Sequence, residues 1–123
     1  MKPGQVNVRY MVEDVDASIE FYTKHLGFTL GINASPAFAD VTRGNLRLLL
    51  SGRTSSAGRP MPVPGGWNQI ELLSEDLASE VAILKAKGLQ FRNEIITGPG
   101  GSQILLIDPS GNFIELFQPK EER

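Results

Sequence analysis

Asp108-Pro109-Ser110-Gly111-Asn112-Phe113-Ile114-Glu115-Leu116 joins a Pro/Gly/Asn turn directly to a strand-like run with one carboxylate among Phe113, Ile114, Leu116 and Phe117. In such a run, alternation sends Phe113, Glu115 and Phe117 to one face and Ile114 and Leu116 to the other. A carboxylate pointing inward is costly unless it is hydrogen-bonded, protonated, paired or bound to a cation. Glu115 therefore needs a partner elsewhere in the chain.

The turn has a counterpart earlier on, since Gly44-Asn45-Leu46 precedes an apolar run as Gly111-Asn112-Phe113 does. Further back, Asp14…Leu26-Gly27 and Asp76…Lys87-Gly88 match at nearly constant offset. Each reads as a helix with an aspartate at its start and a glycine closing it. Val15, Ile19, Tyr22 and Leu26 share one face of the first, with Asp14 or Asp16 as its cap. Leu77, Val81 and Leu84 share one face of the second, capped by Asp76. Strands are expected at Val6–Glu13, Phe28–Ile32, Ala37–Val41 and Leu46–Leu50, then at Trp67–Leu73, Gln90–Ile96, Gln103–Ile107 and Phe113–Gln118. The pattern is a strand-helix-three-strand unit of about 60 residues, used twice. The expected organisation is one domain of two modules, 5–51 and 67–119, separated at 52–66 by a Gly/Ser/Pro-rich loop or lid that cannot pack a core. Modules of this size are expected to share a core, within the chain or by exchange between subunits.

Composition narrows the partners. The 123 residues are 41% hydrophobic, an ordinary value for a globular domain. Fourteen acidic against twelve basic residues give a net charge of −2, with no Lys/Arg run able to track a phosphate backbone, so nucleic acid is not expected. No run approaches a membrane span and the N-terminus has no signal-like core, which points to a cytoplasmic protein. Cysteine is absent, which removes disulfides, thiolate metal sites and a cysteine nucleophile. The single histidine, His25, falls at a helix end, where the helix dipole favours a surface imidazole. Gly52–Arg59 lacks the Gly-Lys-Ser/Thr ending of a phosphate loop.

The repeat, with Asp14-Val15-Asp16-Ala17-Ser18-Ile19-Glu20-Phe21-Tyr22…Leu26-Gly27-Phe28 in the first half and the Asp108–Leu116 stretch in the second, resembles the vicinal-oxygen-chelate superfamily. That family includes glyoxalase I, bleomycin-resistance proteins and extradiol dioxygenases. The resemblance implies an α+β fold of two βαβββ modules forming an incomplete barrel, a cavity that holds a small molecule, and a homodimer. It also implies four quasi-symmetric metal-ligand positions, which carried over by motif are Asn7, Leu48, Gln69 and Glu115. Only Glu115 is a strong donor among them, and a transition-metal ion needs at least three. No resident cofactor is therefore favoured, although Gln69, Glu115 and Asn7 could hold a divalent ion such as Mg²⁺ or Ca²⁺ weakly.

Alternation places Asn7, Arg9 and Met11 on one strand face, Gln69, Glu71 and Leu73 on another, and Phe113, Glu115 and Phe117 on a third. Arg9 and Glu71 occupy equivalent places with opposite charge. They read as an ion pair closing the pocket or as ligand contacts, and Arg9 is alternatively the partner of Glu115. Trp67 stands beside the loop as a hinge or as a flat surface for an aromatic ligand. The expected ligand-binding set is thus Asn7, Arg9, Met11, Leu48, Trp67, Gln69, Glu71, Phe113 and Phe117. Three functions fit: a metal-independent protein that binds a hydrophobic or aromatic compound, a metal-dependent lyase, isomerase or dioxygenase working through Glu115 and Gln69, and a metal-free acid–base enzyme using Glu115 or Glu71, with Glu115 the candidate catalytic residue.

Overall fold

Both helices begin where an aspartate caps them. In the computed structural model, which describes residues 3–53, 64–65 and 69–120, helix α1 (Val15–His25) follows Asp14, whose Oδ1 accepts the Ala17 amide at 3.0 Å. Helix α2 (Leu77–Ala86) follows Asp76, which accepts the Ser79 amide on Oδ1 at 3.2 Å and the Ser79 hydroxyl on Oδ2 at 2.8 Å. These oxygens satisfy amides that have no partner inside the helix. Past each helix a glycine adopts positive φ, +74° at Gly27 and +87° at Gly88, where a side chain would be strained, and the chain turns away.

The chain divides into two compact units, the first running through Gly65 and taking in Pro109–Asn112, the second holding the rest. In the first unit, β1 (Val6–Met11), β2 (Thr29–Ala34), β3 (Phe38–Arg43) and β4 (Leu46–Ser51) form a sheet in the order β1-β4-β3-β2. Strand β1 runs parallel to β4, and the other pairs are antiparallel. Helix α1 packs on β2, β3 and β4, and Tyr10, Val41, Leu48 and Leu50 are buried in the core of this unit. Tyr22 is completely buried, edge-on to Phe21 and to Phe28 at centroid distances of 5.0 and 5.4 Å. Ile19, expected on the buried stripe of α1, is only half-buried, while Ser18 and Phe21 are buried beside Tyr22.

The last turn of sequence before the final strand belongs to this first unit. Asn112, 6% exposed, donates Nδ2–H to the carbonyl of Met11 at 2.8 Å and accepts the Gly65 amide on Oδ1 at 2.8 Å. Ser110 Oγ accepts the Glu13 amide at 2.8 Å. The Ser110–Asn112 turn thereby closes the end of β1.

In the second unit, β5 (Ile70–Leu73), β6 (Gln90–Phe91), β8 (Gly101–Ile107) and β9 (Phe113–Pro119) follow the order β5-β9-β8-β6, and β7 (Ile96–Gly98) also pairs with β8. Here β5 is parallel to β9, and Ile70, Leu72, Ile104, Leu106, Ile114 and Leu116 are buried. The single strand expected over Gln90–Ile96 is in fact two. After Arg92 donates its amide to the Leu105 carbonyl at 2.9 Å, the side chain of Asn93 accepts the Leu105 amide at 3.1 Å, a bond that a strand carbonyl would otherwise make. The chain regains the ladder only at Ile96. The strand expected from Trp67 begins at Ile70 among the described residues. Trp67 itself lies outside them, as does most of the expected loop, residues 54–63 and 66. Among the described residues no helix is long and apolar enough to cross a membrane.

Candidate functional site

Each sheet has one face buried in its own unit and one partly open, and strand register decides what the open face presents. In the first unit Asn7 lies beside Arg47, Arg9 beside Leu49 and Met11 beside Ser51, and β3 adds Asp40 next to Leu49 and Phe38 next to Ser51. Asn7 and Arg9 are exposed, and Met11, Phe38, Arg47 and Leu49 are half-buried. The other face of the same ladder carries Val8, Leu48 and Val41.

That register corrects one expectation. Leu48, placed among the ligand-binding residues as the counterpart of Glu115, is 0% exposed on the core face and cannot meet a ligand. The pairing Val8↔Leu48 in the first unit corresponds to Ile70↔Ile114 in the second, and Arg9↔Leu49 to Glu71↔Glu115. The counterpart of Glu115 is therefore Leu49, one residue on, and a one-residue slip moves a strand residue to the opposite face.

The open face of the first unit is organised by a buried charge. Asp40, 4% exposed, receives Arg47 Nε at 2.6 Å on Oδ2, with Arg47 Nη2 on the same oxygen. Its Oδ1 accepts the Ile32 amide at 2.9 Å, where the β2–β3 register shifts between Leu30 and Asn33. Gly31 sits in that bulge because a methyl group there would run into Asp40 Oδ1. Nearby, Arg9 donates Nη1–H to Ser51 Oγ at 2.5 Å. Nothing in the sequence reading singled out Asp40 and Arg47, and the one signal for them is a charged residue inside each of two apolar strands.

In the second unit Glu71 lies directly beside Glu115, and Leu73 beside Phe117. Glu115, Phe113 and Phe117 are half-buried, while Gln69 and Glu71 are exposed. Gln69 Nε2 donates to Glu115 Oε1 at 2.8 Å, so a carboxamide supplies Glu115 with one hydrogen-bond partner. The Arg92 guanidinium stacks over the Phe113 ring, 5.2 Å from its centroid. His25 is the last residue of α1, with its ring 6.1 Å from that of Phe21.

The residues at the quasi-equivalent positions, Asn7, Leu49, Gln69 and Glu115, do not fit a transition-metal ion. They offer one carboxylate and no imidazole, and Gln69 turns its N–H rather than its oxygen toward Glu115. Among the described residues, no three His, Cys, Asp or Glu side chains come together as a metal-holding group.

The model of the Glyoxalase/Bleomycin resistance protein/Dioxygenase superfamily matches residues 4–116. The chain belongs to that superfamily. The Bacillus subtilis protein YwbC, a curated relative of this glyoxalase-type chain, is 32% identical over 120 residues, covering 88% of this chain and 91% of that protein. The solved structure of an antibiotic binding protein from a Streptomyces species has the same fold, with a TM-score of 0.74 at 23% identity over 98% of both chains. A superfamily member from Sphaerobacter thermophilus matches with a TM-score of 0.77 at 22% identity, over 95% of this chain and 98% of that one. A lactoylglutathione lyase from Agrobacterium tumefaciens matches at 0.75 and 18%, over 95% of each chain. At such identities these structures share the superfamily fold with this chain, and fold alone does not assign chemistry.

Proposed function

We propose that this glyoxalase-superfamily protein binds a small hydrophobic or aromatic molecule on its open sheet faces and does so without a resident metal. The observation that carries the reading is the make-up of those faces. Taken unit by unit, half-buried Met11, Phe38 and Leu49 lie on the open face of the first, and half-buried Phe113 and Phe117 on that of the second, each beside a few placed polar groups, which is the composition of a small-molecule site. The positions where a metal would be held offer a single carboxylate, already hydrogen-bonded by Gln69. A superfamily fold shared with an antibiotic binding protein supports the same reading. The protein works as a homodimer in this proposal, in keeping with Leu30 and Ile32 left exposed on the edge strand β2.

Elemental analysis and calorimetric titration test it together. Purified protein should hold well under one equivalent of nickel, manganese or zinc, and at least one member of a panel of aromatic compounds should bind saturably. One equivalent of metal, lost in Glu115→Gln, would overturn the metal-independent reading. Silence across the panel would overturn the binding reading, and light scattering at the mass of one chain would remove the homodimer.

A further inference from the structure

The polar groups on the open face of the first unit are unevenly committed. Asp40 uses both oxygens, one on Arg47 and one on the Ile32 amide. Arg47 engages Asp40 through Nε and Nη2, and among the described residues its Nη1 has no hydrogen-bond partner. Arg9 donates to Ser51 Oγ, and among the described residues no carboxylate pairs with it. Asn7 makes no side-chain hydrogen bond among the described residues. Among the described residues the face thus holds two guanidinium groups against one carboxylate, and the excess charge sits at exposed Arg9.

These donors are adjacent by construction. Asn7 and Arg9 are two residues apart on β1 and so on one face, and Arg47 is the ladder neighbour of Asn7. Apolar side chains adjoin them, since Leu49 is the ladder neighbour of Arg9 and Met11 lies two residues beyond Arg9. At the equivalent places the second unit carries the opposite charge, Glu71 for Arg9, and an uncharged ring, Phe113 for Arg47, so the cationic set is not imposed by the module itself.

The geometry points to an oxyanion subsite made by Arg9, Asn7 and Arg47 next to the apolar wall, so that the preferred ligand is an organic acid with a carboxylate or phosphate on a hydrophobic body. Guanidinium N–H groups suit either oxyanion, because they donate in a fixed planar fork and form charge-assisted bonds stronger than neutral ones. This inference rests on the small-molecule reading above but can fail separately from it.

The test uses matched probes on the full-length protein. Benzoate and phenyl phosphate are titrated against their neutral analogues benzamide and phenol, with inorganic phosphate alone as a fifth probe. Calorimetry gives affinity, and NMR follows the Arg Nε and Asn Nδ2 signals. The anionic probes should bind about ten- to a hundredfold more tightly than the neutral ones, the advantage a charged hydrogen bond confers. That preference should collapse in Arg9→Gln and Asn7→Leu and weaken with added salt. Arg47 is left intact because its loss would strand the buried Asp40. Equal binding of anionic and neutral probes, unchanged in Arg9→Gln, overturns the subsite and leaves the small-molecule reading standing. Inorganic phosphate that shifts the Arg9 and Asn7 signals while every aromatic probe is silent supports the subsite and overturns the aromatic reading. Silence of all five overturns the subsite outright.

Discussion

Replacing Asn112 tests the join between the turn and the end of β1. Its carboxamide donates to the Met11 carbonyl and accepts from the Gly65 amide, each at 2.8 Å, with the side chain almost wholly buried. Gly65 is exposed and water can take over its amide, so losing that bond costs only the ordinary net value of about 1 kcal/mol. Met11 is half-buried, and an unsatisfied buried carbonyl costs roughly 1–3 kcal/mol. Asn112→Ala should therefore lose about 2–4 kcal/mol, which for a domain of this size lowers Tm by roughly 6–20 °C. Asn112→Asp is the sharper variant. It keeps the acceptor for Gly65 but sets a carboxylate oxygen against the Met11 carbonyl, where only a protonated carboxyl can donate. Its folded-state pKa is thereby raised, so the variant is penalised above that pKa and regains stability as pH falls through it. Thermal and urea unfolding followed by circular dichroism, run between neutral and mildly acidic pH, reads both effects. Alanine within about 0.5 kcal/mol of the parent, or aspartate and alanine variants that track each other at every pH, would refute the reasoning.

Three further outcomes follow from the same geometry. Asp40→Ala strands the Arg47 guanidinium, which is half-buried, and should cost about 3–5 kcal/mol, whereas Asp40→Ala combined with Arg47→Met should recover much of it in urea titrations. Gly31→Ala drives a methyl into Asp40 Oδ1, which cannot move away from Arg47 and Ile32, and should cost about 1–3 kcal/mol by the same measurement. The hydrogen bonds from the Ser79 hydroxyl and then the Ser79 amide hold the Asp76 carboxyl below its ordinary value of 3.8. A lowered folded-state pKa stabilises above the ordinary value and is lost as pH falls through the lowered one, so Asp76→Ala should be less stable than the parent at neutral pH and converge with it in acid.

The parts of the fold that were readable in the sequence are those with a local chemical cause. Asp14 and Asp76 as caps, Gly27 and Gly88 as exits and the offset between the halves all depend on neighbours a few residues away. Leu48 was carried over by motif, and the nearly continuous apolar run Leu46, Leu48, Leu49 and Leu50 has no alternation to correct its phase, which pairing with β1 sets instead. The break between β6 and β7 was hidden because it turns on Asn93 replacing a backbone group, a bond twelve residues away in sequence. Of the candidate site, the family resemblance pointed to Asn7, Gln69 and Glu115 and alternation from Asn7 added Arg9, and the Gln69–Glu115 hydrogen bond supplies one answer to the partner that Glu115 required. Asp40 and Arg47 stayed silent because an ion pair inside a sheet leaves no periodic trace.

Because Asn112 and Ser110 complete the first unit, that unit is not finished when its own helix and strands have been made. As the chain is synthesised, the carbonyl of Met11 and the amide of Glu13 wait for a turn encoded 101 and 97 residues further on. A fragment ending at Gly65 would hold all four strands and the helix of the first unit yet lack this closure. The two halves, for all their internal symmetry, are thereby committed to being inherited and expressed as one piece.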